Sequence, residues 1–120
     1  MANELVLIVD DNAKNAKLAR DVLSLAGFRT LEAESGFEAI ALALEHRPNV
    51  ILMDIRLPDM DGTDATRSLK DDARTAAIPV VALTSLTTDE KWFRSVGFDG
   101  YLEKPISVAS FAGQVREFCR

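Results

Sequence analysis

An α/β fold built on one parallel sheet is predicted by three features of the sequence. Short β-branched runs recur at 5–9, 28–32, 49–53, 78–83 and 99–102, and longer segments of helical character lie between them. Two of the runs, Val50-Ile51-Leu52-Met53 and Val80-Val81-Ala82-Leu83, are apolar throughout, as strands covered by helices on both faces should be. The whole is 120 residues long, which suits five strands and five helices in a doubly wound sheet. A closed eight-fold barrel would need about twice that length.

Each element has a local cause. The first apolar run, Leu5 to Val9, stops abruptly at Asp10-Asp11. Asn12 to Ala26 then carries Leu18, Val22 and Leu25 at helical spacing, with Gly27 as a natural stop. Ser35-Gly36-Phe37-Glu38 has the capping-box form and opens a helix expected to end near His46, before Pro48. Thr87-Thr88-Asp89-Glu90 repeats that form ahead of Trp92, Phe93 and Val96. One of the bulky pair Trp92-Phe93 is expected in the core, and an exposed Trp92 would suit a partner anchor. Val108, Phe111, Val115 and Phe118 form the apolar stripe of the last helix.

Composition excludes several classes. The chain is 48% apolar and 28% charged, with no apolar stretch near the ~20 residues of a membrane span and no signal-peptide pattern. One cysteine, Cys119, and one histidine, His46, cannot build a thiolate–imidazole zinc site. A cytoplasmic location is the expectation. Net charge is −5 and the basic residues are scattered, which argues against a nucleic-acid surface.

In an open α/β sheet, ligands bind at the carboxyl ends of the strands, where strand order reverses. Those ends carry Asp10-Asp11, Asp54 and Thr84-Ser85, and the last strand is followed by Glu103-Lys104-Pro105. Taken singly, each is ordinary: an Asp at a strand end is often a helix cap, and a lone Lys is usually a solvated charge. Together they pose an electrostatic problem. Two carboxylates ~4 Å apart repel by about 4 kcal/mol at an effective dielectric of 20. Three of them beside one lysine require either a protonated Asp or a divalent cation. A donor set of hard oxygens favours Mg²⁺ or Mn²⁺.

Val9-Asp10-Asp11-Asn12, the stretch Met53-Asp54-Ile55-Arg56-Leu57-Pro58-Asp59-Met60-Asp61-Gly62, Ala82-Leu83-Thr84-Ser85 and Tyr101-Leu102-Glu103-Lys104-Pro105-Ile106 resemble the signature blocks of two-component response-regulator receiver domains. The resemblance covers residues 4–120 with every block in order. It implies a flavodoxin-like sheet of strand order 2-1-3-4-5 and a single receiver domain over 1–120 with no effector domain. It implies that Asp54 accepts a phosphoryl group from a sensor histidine kinase or a histidine phosphotransfer protein. Asp11 and Asp54 would ligate Mg²⁺ directly, Asp10 through a water, and Arg56 by its backbone carbonyl. Lys104 would offset phosphoryl charge and pair with phosphorylated Asp54, across a Lys104–Pro105 bond typically cis in that family. Thr84 and Tyr101 would form the switch, and the face of helix 4, strand 5 and helix 5 would meet a downstream protein.

Some positions depart from the family's pattern or tune it. Twenty residues separate Thr84 from Lys104, slightly fewer than is common, which points to a shortened loop or fourth helix. Ser85 stands where a smaller residue is usual. Arg56 and Leu86 flank the approach of an attacking water and are expected to set the lifetime of the phosphorylated form. Within this reading, a switch binder and a phosphorelay intermediate remain equally open. Three competing readings are a degenerate receiver that binds partners without phosphorylation, a Mg²⁺-dependent phosphohydrolase with an Asp nucleophile, and a flavin or nucleotide carrier. The phosphohydrolase would need Asp-x-Asp at the first strand end, where the order is Asp10-Asp11-Asn12. A flavin or nucleotide carrier on the same sheet would need a glycine-rich phosphate loop there.

Overall fold

The computed structural model describes residues 4–84 and 90–119. Five parallel strands, β1 (Leu5–Val9), β2 (Arg29–Ala33), β3 (Val50–Asp54), β4 (Val80–Thr84) and β5 (Gly100–Glu103), lie in the order 2-1-3-4-5. Five helices connect and follow them: α1 (Ala13–Leu25), α2 (Gly36–His46), α3 (Gly62–Asp71), α4 (Glu90–Ser95) and α5 (Phe111–Phe118). The order reverses at β1, which pairs with β2 on one side and β3 on the other.

Alternation along the strands divides the core in two. Leu7, Val9, Ile51, Met53, Val80 and Ala82 point to one face, covered by Ala39 and Ala43 of α2, Ala65 and Leu69 of α3, and Phe93 of α4. Val6, Ile8, Val50, Leu52, Val81 and Leu83 point to the other, covered by α1 and α5. Both faces are sealed, so the central strands are continuously apolar for the expected reason. No described helix is long and apolar enough to cross a membrane.

Strands β2 to β5 end one residue later than the apolar runs do. Asp54 still pairs with Leu83, and Thr84 with Glu103. Backbone ladders continue past the last apolar side chain, so the candidate site residues Asp54 and Thr84 are themselves strand residues.

Two helical stripes need correction. Leu18 and Leu25 are exposed, Leu25 by 91%, whereas the buried face of α1 is Ala16, Ala19 and Leu23. Small residues let α1 lie close on the sheet, which turns the leucines outward. Val108 is likewise exposed and precedes α5, whose core contacts are Phe111 and Val115.

Half of the expected capping box of α2 forms: Glu38 N–H donates to Ser35 Oγ at 3.1 Å, whereas Glu38 Oε1 accepts at 2.8 Å from Glu34 N–H, one residue before the cap. The helix ends at His46, where Arg47 takes a left-handed conformation at φ 46°. The second expected capping box, Thr87-Thr88-Asp89-Glu90, involves residues 85–89, which lie outside the described residues. The described part of α4 is Glu90–Ser95, and the stretch in which a shortening was expected overlaps residues 85–89, which lie outside the described residues.

Candidate functional site

The site begins with a choice among three polar residues at the end of β1. Asn12, not either aspartate, caps α1: its Oδ1 accepts from Lys14 N–H at 3.0 Å and Asn15 N–H at 3.2 Å. Asp10 is 3% exposed, and its Oδ1 accepts from Asn12 N–H at 2.9 Å, which folds the chain sharply into the helix. The pair Asp10-Asp11 is therefore not consumed in starting α1. Asp11 stands exposed at the rim.

Across the reversal point, β3 brings Asp54 level with them. One carboxylate oxygen from each of Asp10, Asp11 and Asp54 lies within 4.8 Å of the others, a spacing suited to a shared cation. Lys104 enters from the end of β5, positioned by its N–H donating to the Thr84 carbonyl at 2.8 Å. Its Nζ donates to Asp10 Oδ2 at 3.0 Å and lies 3.6 Å from Asp54 Oδ2. The lysine is thus bonded to Asp10 and only adjacent to Asp54. The Lys104–Pro105 peptide bond is cis.

Burial raises the pKa of Asp54 above the ordinary carboxylate value, and the negative charge of Asp10 adds to the rise. Lys104 and the backbone N–H groups of Arg56 and Ile55 oppose it. One ammonium does not balance three carboxylates, and the chemistry of the donor set fits a hard divalent cation.

The segment after Asp54 is tightly held. Gly62 N–H donates to the Ile55 carbonyl at 2.6 Å, and Arg56 and Asp61 form an antiparallel bridge. A Cβ on Gly62 would lie 2.2 Å from the Asp54 carbonyl oxygen, so only glycine lets α3 start this close to the site. At the tip of the loop, Asp59 accepts from Gly36 N–H at 2.8 Å and Phe37 N–H at 2.9 Å. Those two bonds hold its carboxyl below the usual range. Sequence reasoning gave Asp59 no role, because its partners lie more than twenty residues away on another helix.

Asp10, Asp11, Asp54, Arg56, Thr84 and Lys104 line one cleft of about 380 Å³, which Asn12, Asn15 and Ile55 complete. Asn15 was not anticipated, although its place in the first turn of α1, four residues after Asp11, would have put it on this rim. Arg56 is exposed. Thr84 is buried at the end of β4. Tyr101 stands apart from the cleft, half-buried on β5 with its ring stacked on Phe93 at 4.9 Å and 16°. Phe93 is fully buried and Trp92 is 41% exposed, so the bulky pair divides between core and surface as expected. Ser85 and Leu86 lie outside the described residues.

Comparison with known proteins points to one family and one fold. The family model of the response regulator receiver domain matches residues 6–116. The polar-differentiation response regulator DivK of Brucella anthropi is 44% identical over 115 residues, 94% of each chain. Among solved structures, the chemotaxis response regulator CheY4 of Vibrio cholerae superposes with a TM-score of 0.90 at 28% identity, covering 98% of this chain and 99% of that one. The receiver domain of a sensor histidine kinase from Pseudomonas aeruginosa superposes with a TM-score of 0.87 at 31% identity, with 98% of each chain covered. That domain has a magnesium ion coordinated in its active site cleft.

Proposed function

The chain belongs to the response regulator receiver domain family, and on that premise we propose that Asp54 is its phosphoacceptor. The observation that carries this reading is the meeting of Asp10, Asp11, Asp54 and Lys104 in one cleft at the reversal point of the sheet. The donor is a phosphohistidine on a sensor kinase or a histidine phosphotransfer protein. A carboxylate oxygen of Asp54 attacks phosphorus, the P–N bond breaks as the O–P bond forms, and the imidazole leaves.

Each residue has a physical task in that step. Asp54 reacts as the carboxylate, and the adjacent Lys104 and a bound cation would keep it ionised beside Asp10. Asp10, Asp11 and Asp54, with the backbone carbonyl of Arg56, would hold Mg²⁺ or Mn²⁺, whose charge would stabilise the oxygens of the transferring group. Lys104 supplies a positive group beside Asp54 while tethered by Asp10, so charge stabilisation is prepared before the phosphoryl group arrives.

Output follows from the new charge on Asp54. Phosphoryl oxygens draw the Thr84 hydroxyl inward, Tyr101 changes its packing, and the surface of α4, β5 and α5 changes for a downstream protein. This is a two-state equilibrium that phosphorylation biases.

Intact mass after incubation with Mg²⁺ and acetyl phosphate tests the reading. One added phosphoryl group is expected on the wild type and none on Asp54→Asn or without Mg²⁺. An adduct that persists in Asp54→Asn would overturn the assignment. No adduct on a wild type that binds Mg²⁺ would favour a phosphorylation-independent binding module.

A further inference from the structure

We propose that Asp59 is a positioning residue for the cation site: it fastens the β3–α3 loop, and the Arg56 backbone within it, to the first turn of α2. The inference rests on the reading of Asp10, Asp11, Asp54 and the Arg56 carbonyl as cation ligands. Asp59 itself does not line the cleft.

Three observations converge on this role. First, both Asp59 oxygens are committed to α2, one to Gly36 N–H at 2.8 Å and the other to Phe37 N–H at 2.9 Å. These are donors of a helix start with no partner inside their own helix, and a carboxylate is their strongest acceptor. Second, Gly36 admits Met60 where a side chain would sit: a Cβ there would lie 2.4 Å from Met60 Cγ and 2.5 Å from Sδ. The loop tip therefore grips α2 by two adjacent residues, one polar and one apolar. Third, the two limbs of the loop are tied to each other by the Arg56–Asp61 bridge and by the Gly62 to Ile55 bond. A displacement of the tip is passed to Arg56 because little slack lies between them.

The α2 start has two separate caps, and that makes the idea testable. Ser35 Oγ accepts from Glu38 N–H and serves the helix alone. Asp59 serves both the helix and the loop. A purely structural role predicts that loss of either cap has the same consequence at the site. A positioning role predicts that only the Asp59 bonds matter there.

Titration calorimetry with Mg²⁺ alone, paired with thermal melts in EDTA, separates the two. Asp59→Asn puts an amino group against a backbone donor and removes at least one bond. It should weaken Mg²⁺ binding about tenfold, the scale for losing a group that orients a metal ligand. Ser35→Ala should lower Tm comparably and leave Mg²⁺ affinity unchanged. Gly36→Ala offers a route that spares the helix, since alanine favours helix over glycine. It should displace Met60 and weaken Mg²⁺ binding without lowering helix stability.

Asp59→Asn binding within twofold of the wild type would overturn the inference, as would an equal loss in Ser35→Ala. Asp11→Asn distinguishes this failure from that of the underlying reading. If Asp11→Asn loses Mg²⁺ while Asp59→Asn keeps it, only the positioning role falls. If the wild type binds no Mg²⁺, or Asp11→Asn binds as well as the wild type, the cation site and the role of Asp59 fall together.

Discussion

The two ends of β5 bring a lysine and an aspartate together in opposite ways. At the amino-terminal edge of the sheet, Lys70 Nζ donates to Asp99 Oδ2 and to the Ile78 carbonyl, both at 2.8 Å, and to the Ala76 carbonyl at 3.3 Å. The same Asp99 oxygen accepts from Val80 N–H at 2.8 Å. One positive charge meets one negative charge, and the ammonium has used its three donors. At the carboxyl edge, one ammonium faces three carboxylates, is bonded to Asp10, and lies 3.6 Å from Asp54. A structural ion pair is neutral and saturated. The candidate rim keeps an excess of negative charge that a bound cation or a proton on one carboxylate would relieve.

Breaking the saturated end should have the larger effect on stability and none on chemistry. Lys70→Met leaves two carbonyls and a carboxylate without the ammonium they share. Because both side chains are partly exposed, the cost is about 1–2 kcal/mol and not that of a fully buried pair. Tm should fall by several degrees, while Mg²⁺-dependent phosphorylation by acetyl phosphate proceeds at the wild-type rate. A loss of phosphorylation rate would show that the two ends are not independent.

Relieving the overcharged end should act with the opposite sign. The folded-state pKa of Asp54 is raised, chiefly by burial, so the folded protein holds its proton more tightly than the unfolded chain. The stability linked to that proton is fully present below the ordinary carboxylate value and is lost as pH rises through the raised one. At pH 7 in EDTA, Asp54→Asn should therefore melt a few degrees above the wild type. The difference should shrink on acidification through the raised pKa. Adding Mg²⁺ should close the gap from the other side by stabilising the wild type alone. An Asn variant less stable than the wild type at pH 7 would remove the electrostatic contrast between the two ends.

The sequence made much of this contrast legible, for reasons that can be located. Five apolar runs interrupted by helical segments admit few topologies, and polar residues at the run ends mark the rim. Which of Asp10, Asp11 and Asn12 caps α1 was not legible, because Asp and Asn both cap well and backbone geometry decides. Asn12 has the extended φ of −91° and ψ of 109° that a cap needs. Leu18 and Leu25 misled because helical spacing defines a stripe but not which neighbouring stripe faces the sheet. Asp59 was invisible for a different reason. A loop carboxylate reads as a solvated charge until the fold places α2's unpaired N–H groups against it.

The smallest expected effect lies between the two ends, where Tyr101 sits on β5 with its ring against Phe93. Phe93 also meets Trp92 edge-on at 5.1 Å and Phe98 at 5.9 Å, so one buried ring links the surface tryptophan to the proposed switch residue. Phe93→Leu keeps an apolar side chain but loses the stack, at a cost of about 1 kcal/mol. Phe93 is part of neither the Lys70–Asp99 pair nor the cleft lining, so Mg²⁺ affinity and the extent of phosphorylation should stay at wild-type values. Trp92 emission should change on phosphorylation of the wild type and change less in Phe93→Leu, because the ring that relays Tyr101 to Trp92 is gone. If wild-type emission is unmoved while the mass shows a phosphoryl group, charge at the rim does not reach α4 through β5. Tyr101 would then be an amphipathic edge residue, and the output face would have to be sought elsewhere.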